Sequence, residues 1–449
     1  MRKMIFALAM VMLSGLAVYA QDIAGVWYGT IKVPGQELPL SFTIKAAGEQ
    51  YSATISVPKQ GLKDFGVKVA TFSNDTLTLE IPQLTFVYKG VVGKDEMIKG
   101  KLTQLGQELP LDLGREKTYS DAKRPQEPKP PYPYISEDIK FRNEAADINL
   151  AGTITIPQGG GKYPAVVLVS GSGSQNRDEE VFDHKPFLVL SDYLTRNGIV
   201  VLRYDDRGFA ESEGDRLTAT TEDNAADAMA GVHYLRGRKE VNPDQIGVIG
   251  HSEGGIIAFM LAAKEKGVAY VVSMAGSAIR GDSILLLQKE DAGRKYGVTE
   301  EALAEARKIN RSVNNAVLNS STKEDAVEKL MEIYGTSEGT KMEIAQMSSD
   351  WMRFFIKYDP VTAIRKIRIP VLVLFGDKDY QVSAGPNAES FEKNVPRSNK
   401  AAEVKIYPDR NHLFQHSTTG MPGEYQEIEE TINPEVLQDI VEWIKKVIK

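Results

Sequence analysis

Residues 250–255 read Gly-His-Ser-Glu-Gly-Gly, and they lie between an apolar run typical of a buried strand and one typical of a helix. A sharp strand-to-helix turn brings neighbouring backbone so close that only glycine fits, which explains Gly250 and Gly254. Such a turn would expose Ser252 near the positive end of the helix. The context favours Ser252 as a nucleophile over the alternative of a capping serine in a tight glycine turn.

A serine hydroxyl is a poor nucleophile unless a base takes its proton, and the chain has five histidines. His251 is in the turn itself and is expected to point the wrong way. His233 is within a predicted helix, and His184 precedes the relevant strands. His412 and His416 follow the last predicted strand. We predict His412 as the base because it comes sooner after that strand, and His416 is the alternative.

The base needs a carboxylate that fixes its tautomer and stabilises its charged form. The sequence Gly-Asp-Lys-Asp at 376–379 follows a predicted strand and supplies two acids, Asp377 and Asp379. Asp377 directly follows the glycine and is expected to organise the turn, whereas Asp379 is further into the loop and free to reach across. We therefore predict Asp379 as the acid, in the chain order serine, acid, histidine.

An oxyanion needs two N–H donors that are already in place. We predict the main-chain amide of Glu253, at the start of the helix, as one donor. The other is the amide of Ser172, in the loop Ser-Gly-Ser-Gly-Ser at 170–174 that follows the first buried strand. This loop partly matches a dinucleotide-binding fingerprint, but Asn176 takes the place of the third glycine, so we expect no cofactor there.

The elements that position these residues are predicted by continuous apolar, β-branched runs, which are typical of parallel strands buried on both faces. Strand runs alternate with helical segments after residue 135, which predicts a doubly wound α/β domain over 136–449. Residues from about 277 to 359 have helical spacing only, which predicts a cap inserted between two strands. Aromatic residues at its end, such as Trp351, are candidates to roof a pocket, although most such residues serve packing.

Residues 21–114 alternate between apolar and polar side chains, which predicts an all-β domain of about eight short strands, a small barrel or sandwich. Residues 115–135 are rich in proline and charged side chains, which predicts an extended, semi-rigid linker.

Residues 1–20 have a short positive start, an apolar run and small residues before Ala20, which predicts a secretory signal peptide cut after Ala20. A single membrane anchor is the alternative, but the run is short for a span. Since no later segment is apolar and long enough to cross a bilayer, we expect an exported protein, periplasmic or secreted.

The composition excludes several function classes. The chain of 449 residues has 54 basic and 61 acidic side chains, a net charge of −7 that argues against a nucleic-acid partner. It has no cysteine, which excludes a disulfide framework, a thiolate metal site and a catalytic cysteine. We expect no metal and no organic cofactor, and the sequence assigns no oligomeric state.

Several stretches together carry a family resemblance: Gly-Ser-Gly at 171–173, Arg-Asp at 177–178, His-Lys-Pro-Phe at 184–187, Arg-Tyr-Asp-Asp-Arg-Gly at 203–208, Gly-His-Ser-Glu-Gly at 250–254, Gly-Asp-Lys-Asp at 376–379 and Asn-His at 411–412. From about Glu137 to its end, the chain resembles bacterial carboxylesterases of the α/β-hydrolase superfamily with an extra N-terminal domain. The resemblance implies an α/β-hydrolase fold and a triad of Ser252, Asp379 and His412. One departure is that the loop at 170–174 begins Ser-Gly rather than the more usual His-Gly, which bears on the assignment of Ser172.

We therefore expect an exported serine hydrolase that cleaves small-molecule carboxylic esters through an acyl-enzyme intermediate. The same triad serves peptidases, acyltransferases and thioesterases, which are the alternatives. An alternative of another class is a binding protein whose β domain captures a hydrophobic ligand, because Gly-Val-Trp at 25–27 is similar to the start of lipocalins.

Overall fold

The computed structural model describes residues 23–33, 36–47, 50–57, 62–82, 86–104, 107–117, 123–264 and 267–448. The signal peptide predicted at 1–20 lies outside these residues. The described chain forms two compact units, one before residue 121 and the other from residue 121 onward.

The described part of the first unit consists of two antiparallel sheets around one apolar core, in which Trp27, Phe42 and Tyr88 are buried. The first sheet has the order β1 (Gly25–Val33), β2 (Gln36–Ala47), β3 (Gln50–Val57), β4 (Leu62–Val67). The second has the order β5 (Val69–Ser73), β6 (Thr76–Ile81), β7 (Phe86–Val92), β8 (Ile98–Gln104), β9 (Gln107–Pro110). The described residues of this first unit thus contain nine strands, against about eight predicted. Strands β5 and β9 form the edges of their sheet and bury little, so their hydrophobic alternation is weak.

The second unit contains a mostly parallel sheet with the order β10-β11-β13-β12-β14-β15-β16-β17. Its strands are β10 (Tyr134–Asn143), β11 (Ile148–Pro157), β12 (Tyr163–Val169), β13 (Val200–Tyr204), β14 (Val241–His251), β15 (Tyr270–Met274), β16 (Val371–Gly376) and β17 (Ala402–Tyr407). The hairpin of β10 and β11 is antiparallel, and β11 joins β13 antiparallel, whereas the pairs from β13 to β17 are parallel. The predicted α/β class is confirmed.

Helices cover both faces of this sheet, which is why its strands are apolar without alternation. In β12, Val167 and Val169 belong to the core on one face, and Val166 and Leu168 to the core on the other. The helices outside the cap are α1 (Pro186–Arg196), α2 (Thr221–Arg236), α3 (Glu253–Lys264), α9 (Val361–Ile364), α10 (Ala384–Asn394), α11 (Pro422–Tyr425) and α12 (Pro434–Val447).

Five α-helices of the described residues lie within the interval of about 277–359, where the sequence predicts a cap between β15 and β16. They are α4 (Gly281–Lys295), α5 (Glu300–Leu318), α6 (Lys323–Tyr334), α7 (Lys341–Met347) and α8 (Asp350–Lys357). Hydroxyl groups cap three of them, because Thr299, Thr322 and Ser349 each accept a hydrogen bond from a main-chain N–H in the first turn. These helices have a small apolar core of their own, which includes Val317 and Leu330.

Residues 123–135 of the predicted linker belong to the second unit and are bonded to it. The guanidinium of Arg124 donates to the main-chain carbonyls of Phe182, Asp183, Gln426 and Ile428 at 2.8–3.2 Å. Proline-rich composition predicts the extended backbone, but it does not show that a single arginine binds four carbonyls distant in sequence.

His184, in the loop that Arg124 holds, is fully buried as a neutral imidazole. Its Nε2 lies 2.8 Å from both the Tyr425 carbonyl oxygen and the Gln415 amide nitrogen, and its Nδ1 lies 2.9 Å from the Thr431 hydroxyl. Burial lowers the pKa of His184 to about 4. Since the unfolded chain binds a proton near pH 6.5 and the folded chain does not, stability from this site is complete above about pH 6.5. It is lost as the pH falls from there toward 4.

We expect this site to cost about 2 kcal/mol of stability between about pH 7.5 and about pH 5, out of about 3 kcal/mol for the whole pKa difference. His184→Gln removes the titrating group, so the unfolding free energy of the variant should fall less with pH. Urea unfolding of both proteins at about pH 7.5 and about pH 5 measures this difference. Equal losses of stability in the two proteins would contradict the expectation.

Candidate active site

The turn at Ser252 has the strained geometry that the glycine spacing predicts. Strand β14 ends at His251 and helix α3 begins at Glu253, so Ser252 alone joins them, with φ at +54°. A Cβ added to Gly250 would lie 1.9 Å from the Gly254 carbonyl oxygen. A non-glycine residue with positive φ costs about 1–3 kcal/mol, and such strain is concentrated at functional sites.

The structure brings the predicted acid and base together. The Nδ1 atom of His412 lies 2.7 Å from Oδ2 of Asp379, and both residues are buried. The other carboxylate oxygen of Asp379 accepts from the main-chain N–H groups of Gln381 and Val382 at 2.8 and 2.9 Å. The carboxylate is therefore fixed, and its bond to Nδ1 leaves Nε2 of His412 as the atom able to take a proton from a nucleophile.

The two rejected candidates have other contacts. Asp377 accepts from the main-chain N–H of Asp409 at 2.6 Å, which joins the loops after β16 and β17 as a turn-organising residue would. The His416 side chain is exposed, and its main-chain N–H donates to Glu430 at 2.7 Å. Neither residue is bonded to the acid–base pair in the described structure.

The loop that carries the predicted base, His412, is bonded to the turn at Ser252. His251 Nε2 lies 3.0 Å from the His412 carbonyl oxygen, and the two imidazole rings are 4.7 Å apart between centroids. Among the bonds of the described residues there is none from the Ser252 hydroxyl to His412. In unliganded hydrolases this bond is often long and shortens when substrate binds.

The loop at 170–174, which contains the predicted oxyanion donor and is called the oxyanion loop below, lies directly beside Ser252. A Cβ added to Gly171 would be 3.2 Å from the Ser252 Cβ atom. Two carboxylates hold the loop in place. Asp206 accepts from the Ser170 hydroxyl at 2.7 Å and the Gln175 N–H at 2.8 Å, and burial raises its pKa to about 7. Glu179 accepts from the Gly171 N–H at 2.8 Å. The loop that contains the predicted donor Ser172 is thus fixed from both sides.

Glu253 is predicted to donate its main-chain N–H to an oxyanion, and its side chain also makes hydrogen bonds beside the site. Its buried Oε1 atom accepts from the Thr221 hydroxyl at 2.6 Å and from the Trp351 indole N–H at 2.8 Å, and burial raises its pKa. Trp351 is on cap helix α8 and stacks on Phe355 with ring centroids 5.1 Å apart. The cap is therefore bonded to the residue that follows Ser252, the predicted nucleophile.

Trp351→Phe keeps the aromatic packing of the cap and removes this bond. Because a buried hydrogen bond contributes about 0.5–1.5 kcal/mol, we expect kcat/KM for a bulky ester to fall up to about tenfold as the cap loosens. Trp443→Phe is the matched control, since the Trp443 indole N–H is buried without a partner among the described residues. Steady-state kinetics on both variants test this; equal effects would show that the bond to Glu253 is unimportant.

Sequence reasoning missed the roles of Glu179 and His251 and of the Asp206 and Glu253 side chains. The position of Asp206 after β13 was an available signal, because parallel strands direct their following loops to one sheet edge. Glu179 gives no such signal, since it lies in a loop and its partners are distant in sequence.

The described residues contain no cluster of three or more His, Cys, Asp or Glu side chains arranged to bind a metal ion. None of the helices in the same residues combines the length and apolar character that crossing a membrane requires.

Comparison with known proteins gives a family match. Residues 185–417, just over half of the chain, match the family model described as serine aminopeptidase, S33. The chain is 27% identical over 308 residues to esterase EstD of Thermotoga maritima, which covers 68% of each protein. It is 24% identical over 247 residues to an uncharacterized 31.7 kDa protein of Escherichia coli, covering 54% of this chain and 81% of that protein.

Among solved structures, an esterase of Pyrococcus furiosus is similar with a TM-score of 0.44 and 16% identity. The similarity covers 74% of this chain and 99% of that one.

Proposed function

Because the chain belongs to the serine aminopeptidase S33 family of α/β hydrolases, we propose that it is a serine carboxylesterase acting on small esters. The observation that carries the proposal is the bonded pair of His412 and Asp379 beside the strained turn at Ser252. The similarity to esterase EstD supports an ester substrate.

The reaction follows from this arrangement. His412 Nε2 takes the proton of the Ser252 hydroxyl as its oxygen attacks the ester carbonyl carbon, and Asp379 stabilises the resulting imidazolium. The main-chain N–H groups of Glu253 and Ser172 donate to the oxyanion. The intermediate collapses by expelling the alcohol, which takes the proton from His412. Water then attacks the acyl-enzyme with His412 as base, and the carboxylic acid and free Ser252 are released.

A peptidase is the second candidate, because the matching family model is described as an aminopeptidase. Amide cleavage would use the same groups, but the leaving amine must be protonated by His412 as it departs. The two reactions are therefore distinguished by substrate and not by the triad.

A panel of acyl esters of increasing chain length, with aminoacyl and peptide amides, tests the proposal. We expect hydrolysis of short acyl esters by the wild-type protein and none by Ser252→Ala, with amides cleaved much more slowly. Faster cleavage of amides than of esters would favour the peptidase, and hydrolysis that persists in Ser252→Ala would contradict both candidates.

We also propose that the protein is exported to the periplasm or beyond. The charged start, apolar run and small residues at 1–20 support this. Cell fractionation with N-terminal sequencing is the test: a mature chain that starts at Gln21 is expected, and an unprocessed chain in the cytoplasm would contradict the proposal.

A further inference from the structure

Glu179 is a buried acidic residue to which the proposed reaction gives no role. It is 2% exposed, and its Oε1 atom lies 2.8 Å from the Gly171 main-chain nitrogen and 2.8 Å from Nδ1 of His251. Its Oε2 atom is buried and has no partner among the described residues. The carboxylate charge therefore depends on the two contacts at Oε1.

The backbone is shaped to place this side chain. Glu179 has φ at +52°, in the left-handed region, and its N–H donates to the Asn176 carbonyl at 2.9 Å. The Asn176 side-chain oxygen accepts from the N–H groups of Asp178 and Glu180 at 3.0 and 3.3 Å. A turn built around Asn176 thus holds Glu179 against the nucleophile turn.

The contacts of His251 determine how many protons its ring carries. Nδ1 faces the Glu179 carboxylate, and Nε2 faces the main-chain carbonyl of His412 at 3.0 Å. A carboxylate and a carbonyl only accept hydrogen bonds, and a neutral imidazole has a single N–H to donate. A neutral His251 would therefore leave one ring nitrogen with its lone pair against an oxygen lone pair.

We propose that His251 is a doubly protonated imidazolium, and that its buried ion pair with Glu179 positions the oxyanion loop and the base loop around Ser252. Glu179 holds Gly171 on one side, and His251 holds the His412 main chain on the other. Both are positioning residues, because neither contacts the reacting atoms. The protonation of His251 does not depend on the proposed function, whereas the effect of the ion pair on turnover rests on it.

The charges around His251 support this protonation. Burial by itself lowers the pKa of His251, but the charge and the hydrogen bond of Glu179 outweigh it, so that the pKa is raised above its ordinary value. The His412 carbonyl and, more remotely, the charge of Asp379 act in the same direction. Asp206, whose pKa burial raises to about 7, interacts electrostatically with Glu179, and the His412 ring is a further titratable group in contact with His251.

Nitrogen-15 NMR of the histidine rings in the wild-type protein tests the protonation directly. The chain has five histidines, so the His251 signals can be assigned by substituting the other four one at a time. At about pH 8 an unperturbed imidazole of pKa about 6.5 is almost wholly neutral. We expect His251 to show two protonated nitrogens at that pH, and one protonated nitrogen would overturn the proposal. This measurement needs no turnover, so it is independent of the substrate panel.

Glu179→Gln tests the positioning role. The substitution removes the charge, so His251 should become neutral and lose one of its two bonds. Since a displacement of about 1 Å in a catalytic group costs up to about a hundredfold in rate, we expect kcat to fall ten- to a hundredfold with KM nearly unchanged. Glu389→Gln, the same substitution at an exposed residue of α10, is the control and should leave kcat unchanged. A neutral His251 ring in Glu179→Gln with wild-type kcat would overturn the positioning role.

Discussion

Ser252→Ala is expected to lower kcat for ester hydrolysis about a million-fold, the effect of removing the nucleophile from a serine triad. The acyl-enzyme cannot form without the hydroxyl, and the remaining groups can only assist direct attack by water. The fold should survive, because the Ser252 main-chain N–H still donates to the Met274 carbonyl at 2.9 Å. Steady-state kinetics, with circular dichroism to confirm folding, measure the effect.

Ser273→Ala is the matched control for this substitution. Ser273 is buried near the carboxyl end of β15, and its hydroxyl has no hydrogen-bond partner among the described residues. Its loss should leave kcat close to the wild-type value. A folded Ser252→Ala variant with more than a trace of activity would show that another residue is the nucleophile.

His412→Gln is expected to lower kcat by about four to six orders of magnitude, since an amide cannot take the serine proton. The glutamine side chain is of similar size and can still donate to Asp379, so the effect should come from lost proton transfer and not from lost packing. Rapid-mixing measurement of alcohol release in the first turnover tests the acylation step itself.

The same substitution at the exposed His416 serves as the control. His416→Gln should retain wild-type kinetics, because this side chain lies outside the bonded pair of His412 and Asp379. A large loss at 416 together with a small loss at 412 would reverse the assignment of the base.

The parts of the site that sequence predicts are those under strong local constraint. The turn at Ser252 is readable because close backbone approach excludes any residue but glycine at 250 and 254. Asp379 and His412 can be predicted from the sequence because loops after parallel strands converge at one sheet edge. The buried strands can be predicted from continuous apolar runs. In β12, for example, side chains on both faces enter an apolar core, so no polar residue interrupts the run.

The remaining features depend on contacts between residues far apart in the chain. His251 was expected to point away from the serine, and its contacts with Glu179 and His412 agree with a ring that is not the base. No local pattern predicts that Glu179, 72 positions earlier, is its partner. The bond from Trp351 to Glu253 likewise depends on how the cap folds back. Only the three-dimensional structure reveals these pairings.

Covalent labelling tests the central claim most directly. A fluorophosphonate reacts preferentially with an activated serine hydroxyl, so its site of attachment identifies the nucleophile. After labelling and proteolysis, mass spectrometry should find one adduct, on Ser252, and His412→Gln should abolish it. An adduct on another serine, or ester hydrolysis that proceeds without any adduct, would contradict the account.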